Sequence, residues 1–287
     1  MILISDESGD VGCSYINHAS NFYIISYALI DGNGAINFFV DSAFRASKSI
    51  FGKSLTSWKQ LNSQIKSNPD IQKRFLEELF SNLTDKNFYY TLGFFIINKS
   101  ELEERISRDK DKKLIQYHAY EGYRLILKRI LPFLKCLHYT AKRYPSLPNL
   151  EWYIDINNKE FQRVLHEHKA QLAREHRVNI NGPKFISKKK DFDRQIVHAI
   201  TVVDVIGGIV NKAMEQYSKC NCIKTNCFDC DCENTFKSIW ESILKRTTNL
   251  NVLYKGNIFW NWQGIQYVPI SNRNKHSRFF TKDIFTD

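Results

Sequence analysis

No apolar run in the sequence reaches the length of a membrane span. The longest candidate, Ile196 to Val210, is interrupted by His198 and Asp204, so it reads as a buried helix of a soluble protein and no membrane partner is expected. A secretory leader is also lacking: the chain opens Met-Ile-Leu-Ile-Ser-Asp-Glu, with no basic region and acids by residue 6. Cysteine is sparse outside one cluster, Cys13 and Cys136 being the isolated two of seven. An odd count without a leader points to a reducing, cytoplasmic setting, where metal binding outranks disulfides. There is no internal repeat. Negative charge is in deficit, with 30 Asp and Glu against 41 Lys and Arg and a net charge of +11. A balance this basic favours a polyanionic partner, because cations that neutralise phosphates release counterions. Simple solubility would account for the same count.

The 287 residues are 43% hydrophobic and 25% charged, which supports a sizeable core and excludes wholesale disorder. The length allows one large α/β domain with an insertion, or two small domains. Residues 2–6 read as a short buried strand, followed by a turn through Gly9 and Gly12. Residues 22–30 read as a second strand, and Asp31-Gly32-Asn33-Gly34 as a hairpin turn into a third, 35–40. Apolar spacing predicts helices over 70–83, 112–138 (kinked at Pro132), 158–176, 193–218 and 236–246. Further strands are expected at 88–97, 150–156 and 184–187, and an aromatic hairpin at 256–269. An antiparallel β-meander followed by alternating strands and helices implies a mixed sheet with parallel strands and helices on both faces.

Three aspartates stand out against this background. Asp6 ends an apolar strand, where a carboxylate is costly to bury unless paired or bound to a cation. Asp155 repeats the pattern after Trp152-Tyr153-Ile154. Either could instead cap a turn or a helix. Asp204 lies within Ile200-Thr201-Val202-Val203-Asp204-Val205-Ile206-Gly207-Gly208, and an ionised, unpaired carboxylate there would cost several kcal/mol. It needs a partner or a divalent cation. Gly207 and Gly208 weaken the helix but allow a strand or ligand to come close. Hard cations such as Mg²⁺ or Mn²⁺ prefer carboxylate oxygens, and a pair of them about 4 Å apart can activate water for phosphodiester cleavage. The alternative is that these acids pair with some of the many Lys and Arg residues. Glu7 points to the opposite face of a strict strand from Asp6 and ranks behind it, as a supporting residue.

Asp6-Glu7-Ser8-Gly9 after an apolar strand, Ile154-Asp155 at a late strand end and the segment Gln195 to Gly208 together resemble the domain-of-unknown-function 3800 family, an RNase H-like group. Val203 stands where that family usually has Ala before Asp, and Ser187-Lys188 looks like its Ser-Lys step. The resemblance spans about residues 1–212. It implies an RNase H-like fold, a metal-dependent nuclease activity, and association with bacterial defence or mobile elements. The chain departs from the family's Glu-x-Lys-like step after the third strand: Ser54-Leu55-Thr56-Ser57-Trp58-Lys59 has no acid. If that acid completes the site, activity is altered, and a catalytically inactive nucleic-acid-binding or protein-interaction module on the same fold is the second reading.

Residues 219–287 read as a Cys-rich segment and an aromatic, basic extension packed on the domain formed by 1–218. Cys220, Cys222, Cys227, Cys230 and Cys232 crowd together, and four thiolates can close a tetrahedral structural Zn²⁺ site. A thiol-rich insertion without metal is the alternative. Lys188, Lys189 and Lys190, just before the Asp204 helix, are candidate phosphate contacts. Arg273 and Lys275 follow Phe259-Trp260-Asn261-Trp262 and are candidate nucleic-acid contacts, while those tryptophans read as core-filling.

Overall fold

The computed structural model describes residues 1–9, 22–53, 64, 68–82, 90–99, 122–128, 130–132, 134–135, 149–155, 159–186, 193–219, 248–254, 257–263 and 265–268. Its strands are β1 (Ile2–Ser8), β2 (Phe22–Ile30), β3 (Tyr90–Asn98), β4 (Asn149–Ile154), β5 (Asn179–Phe185), β6 (Thr248–Tyr254), β7 (Asn257–Gln263) and β8 (Ile265–Val268). Its helices are α1 (Gly32–Phe51), α2 (Pro69–Asn82), α3 (Lys159–His176) and α4 (Arg194–Lys219). Residues 122–128, 130–132 and 134–135 are also helical.

Five strands in the order β5-β4-β1-β2-β3 form a mixed sheet, and β8 lies outside β3. β1 pairs parallel with β4, and β4 with β5. β2 runs antiparallel between β1 and β3, and β8 is parallel to β3. Helices cover both faces, so the central strands bury both sets of side chains; all nine residues of β2 are buried. Period-two alternation divides the core. Ile2, Ile4, Ile24 and Ile96 pack with α1, α2 and α4 through residues such as Phe39, Phe75 and Val203. Leu3, Ile25, Phe95 and Trp152 pack on the other face with Tyr123, Ile126 and Leu127, and with Leu165 and Leu172 of α3.

The structure corrects the expected hairpin at 31–34 and strand at 35–40, which instead begin α1. The buried positions Ala35, Ile36, Phe39, Val40, Ala43, Ala46 and Ser47 recur at helical spacing, whereas a six-residue window centred on Phe38-Phe39-Val40 looks like a short buried strand. The helix stops at Gly52, whose φ of 69° is left-handed and whose N–H donates to the Lys48 carbonyl at 3.0 Å. The antiparallel meander exists, but its third member is β3 rather than 35–40.

Three smaller differences follow. The expected strand at 184–187 overlaps the end of β5, which begins five residues earlier at Asn179; as the sheet's edge strand it can carry Pro183. Within the expected 256–269 hairpin, β7 pairs antiparallel with β6 in a separate two-stranded sheet, and β8 joins the large one. Finally, Arg194–Glu215 is long and apolar enough, by length and composition, to cross a membrane, contrary to the sequence reading. In the fold 72% of its most apolar 18-residue window is buried inside the protein.

Candidate functional site

β1 and β4 run parallel with Ser5 opposite Ile154. The next positions are Asp6, within β1, and Asp155, the residue just past the end of β4, so the two follow a pair of facing positions on adjacent strands. Asp6 shares a face with Ile2 and Ile4, the face that α4 covers. Three contacts hold α4 there. The Ser26 hydroxyl, cross-strand from Asp6, lies 3.2 Å from the Asp6 carbonyl oxygen and 3.3 Å from that of Val203. Asn211 Nδ2 donates to Ser8 Oγ at 3.3 Å. Gly207 lets the helix close down, since a Cβ there would stand 2.5 Å from Ser26 Oγ and 3.1 Å from Ser26 Cβ. Gly207→Ala is therefore expected to destabilise the fold by about 1–2 kcal/mol, the overpacking outweighing the helix propensity gained. Urea unfolding checks this, and an unchanged or raised midpoint contradicts it. Gly9, at φ +98°, makes the turn after β1, and a side chain there would collide with the Phe22 carbonyl.

The aspartates share one electrostatic field. Burial pushes the Asp6 carboxyl well above the usual range, and the charge of Asp204 pushes it further. The Glu7 backbone N–H, donating to Asp6 Oδ1 at 2.8 Å, opposes this, while Asp155 and Glu7 add to it. Asp6 is 8% exposed; Asp155 and Asp204 are half-buried. Residues 155 and 204, far from residue 6 in the chain, thus both act on Asp6.

Neither a family model nor a curated protein matches the chain. Among solved structures it is similar to a chain of the PCNA:RNase HII complex from Archaeoglobus fulgidus. Identity is 11% and the TM-score 0.37, over 85% of this chain and 87% of that one.

Glu7 occupies the opposite face. The Tyr123 hydroxyl donates to its Oε1 at 3.2 Å. Burial raises the Glu7 carboxyl to about 7, with a contribution from Asp155; the Tyr23 and Tyr123 hydroxyls pull the other way. Burial, and then the Glu7 charge, in turn push the Tyr123 phenol well above its ordinary value. The Tyr123 ring packs 5.8 Å from Trp152, whose Nε1 donates to Ser5 Oγ at 3.1 Å. A buried polar cluster thus backs the strand that carries Asp6. Sequence reasoning missed Tyr23, Tyr123 and Ser26. Alternation along β2 puts Tyr23 and Ser26 on opposite faces, but nothing in the sequence links Tyr123 to a residue 116 positions away.

By chemistry the donor set suits a hard divalent cation: carboxylates whose mutual repulsion a cation would relieve. By spacing, no group of three His, Cys, Asp or Glu side chains among the described residues is placed to hold a metal ion. Cys220, Cys222, Cys227, Cys230, Cys232, Lys188, Lys189, Lys190, Arg273, Lys275 and the Ser54–Lys59 stretch all lie outside the described residues.

Proposed function

We propose that the chain is an RNase H-like nuclease that hydrolyses phosphodiesters with Mg²⁺ or Mn²⁺, as its resemblance to the domain-of-unknown-function 3800 family implies. The strand order β3-β2-β1-β4-β5, with β2 antiparallel, supports the fold part of this reading, since it is the arrangement of RNase H-like sheets. The observation that carries the chemistry is the field on Asp6: a buried carboxylate on the central strand, loaded by Asp204 and Asp155. Asp6, Asp155 and Asp204 would hold the cation, which when bound would activate water and stabilise the leaving oxygen. Glu7, backed by Tyr123, sets the position and charge of β1 beneath them. The net charge of +11 draws a polyanion toward these acids.

The lack of a three-residue metal group among the described residues, together with the missing acid at Ser54–Lys59, favours a second reading: a non-catalytic nucleic-acid-binding module. Labelled DNA, RNA and hybrid substrates incubated with the full chain, with Mn²⁺ or with EDTA, separate the two. Cleavage that requires Mn²⁺ supports the nuclease, and binding without turnover selects the module. A cation held by the carboxylates also stabilises the fold, by about 2.7 kcal/mol at a hundredfold excess over Kd. Millimolar Mn²⁺ is accordingly expected to raise Tm at pH 8 by several degrees, and calorimetry showing no shift counts against the site.

A further inference from the structure

The outward face of α1 carries an open groove of about 530 Å³ lined by Phe38, Asp41, Phe44, Arg45 and Lys48. We propose that this groove binds a single-stranded segment of nucleic acid, with bases against Phe38 and Phe44 and phosphates at Arg45 and Lys48. The proposal rests on the chain being nucleic-acid-directed, as argued above, but not on its cutting what it binds.

The lining residues recur at helical spacing, so they share one face of α1. Ten residues separate Phe38 from Lys48, a span of about 15 Å, enough for a few nucleotides. Arg45 and Lys48 are exposed, while Phe38 and Phe44 are half-buried at the edge of the core. The core therefore holds both rings in place, and they lose little freedom when a base stacks on them. His198 packs on Phe44 in a T-shaped arrangement, with ring centroids 4.9 Å apart and planes at 80°. Burial, followed by the charge of Arg194, lowers the His198 pKa, which leaves a neutral ring buttressing the aromatic at neutral pH.

Lining chemistry selects the occupant. Two aromatics and two cations on one face match a strand whose phosphates and π-faces are both accessible. Asp41 adds an acceptor for a base amino group. A duplex shows this groove only its phosphate ridge, against which two phenylalanines and a carboxylate have no role. A free polyanion likewise uses only Arg45 and Lys48. The groove and Asp204 share α4: His198, against Phe44, precedes Asp204 by six residues, about 9 Å along the helix axis.

The test uses the full chain and fluorescein-labelled oligo(dT) and oligo(U), single-stranded or annealed to their complements, with EDTA to prevent turnover. Arg45→Glu with Lys48→Glu, both exposed and compatible with folding, is expected to weaken single-strand binding at least tenfold. Losing two phosphate contacts also flattens the dependence of log affinity on log salt by about 1.4. Phe44→Ala, checked for an intact fold, is expected to cost about tenfold by loss of stacking. Single-strand affinity unchanged in the charge-reversal variant overturns the proposal. Equal binding of duplex, with no effect of Phe44→Ala, also overturns it and leaves a phosphate-only surface. Mn²⁺-dependent cleavage that persists alongside either result keeps the nuclease reading while this groove fails. Normal groove binding without cleavage supports the groove and removes the nuclease.

Discussion

Asp204→Asn is expected to reduce Mn²⁺-dependent cleavage by about 10³-fold or more, equivalent to about 4 kcal/mol of barrier, without loosening the fold. The reasoning starts from charge. Asp204 follows Val203, whose carbonyl sits against Ser26, and its carboxylate is the largest charge acting on Asp6. Asparagine keeps the shape and one oxygen but removes the negative charge a cation needs. It also relieves the repulsion on Asp6, so Tm at pH 8 is expected to stay level or rise. An inactive protein that is no less stable cannot owe its inactivity to unfolding, a pattern typical of sites that trade stability for function. Asp6→Asn is expected to behave the same way, and its Oδ1 can still accept from the Glu7 N–H. Glu175→Gln, at an exposed position on α3, serves as a control and should cleave normally. If either aspartate variant cuts at the wild-type rate, these acids do not form the active site.

How much of this was legible beforehand depends on the range of the interaction concerned. β1, β2, α2, α3 and α4 fall close to their expected bounds because their apolar periods are long and unambiguous. α1 as a whole is not legible, because Asp31-Gly32-Asn33-Gly34 carries hairpin chemistry and the Ser- and Lys-rich stretch from 43 onward reads as polar with short helices at most, whereas Ala35, Ile36, Phe39, Val40, Ala43 and Ala46 all pack into the core. Pairing of β8 with β3, across more than 160 residues, is a non-local choice that no local pattern encodes. At the site, an isolated carboxylate in an apolar stretch is a conspicuous anomaly, so Asp6 and Asp204 could be picked out individually. That they could converge is an expectation from their places at element ends; what sets their approach, strand register and the Gly207–Ser26 contact, has no local signature in the sequence. Glu7 was placed correctly on the face opposite Asp6, but its environment comes from Tyr123, which packs there only once the 122–128 helix docks.

Glu7→Gln is expected to stabilise the metal-free protein above pH 7 and to leave it unchanged near pH 4. In the unfolded chain this carboxyl titrates near its ordinary value of 4.5, whereas in the fold burial holds it at about 7. Between those values the native state binds more protons than the unfolded one, so the contribution of Glu7 to stability falls as pH rises through the window and is flat above it. The full span corresponds to at most about 3.4 kcal/mol, and partial exposure of the residue reduces this to about 1–3 kcal/mol. Glutamine does not titrate, and its amide oxygen can still accept the Tyr123 hydroxyl. The difference in unfolding free energy between variant and wild type, from urea melts at pH 4, 5.5, 7 and 8, should therefore open between pH 4.5 and 7 and then level off. Subtracting one protein from the other cancels titrations they share. A difference that stays constant across the series would mean that Glu7 titrates alike in the folded and unfolded chain and that the tyrosine-lined face of β1 does not resist its charge. The strand carrying Asp6 would then lack the buried, proton-holding support that the structure gives it.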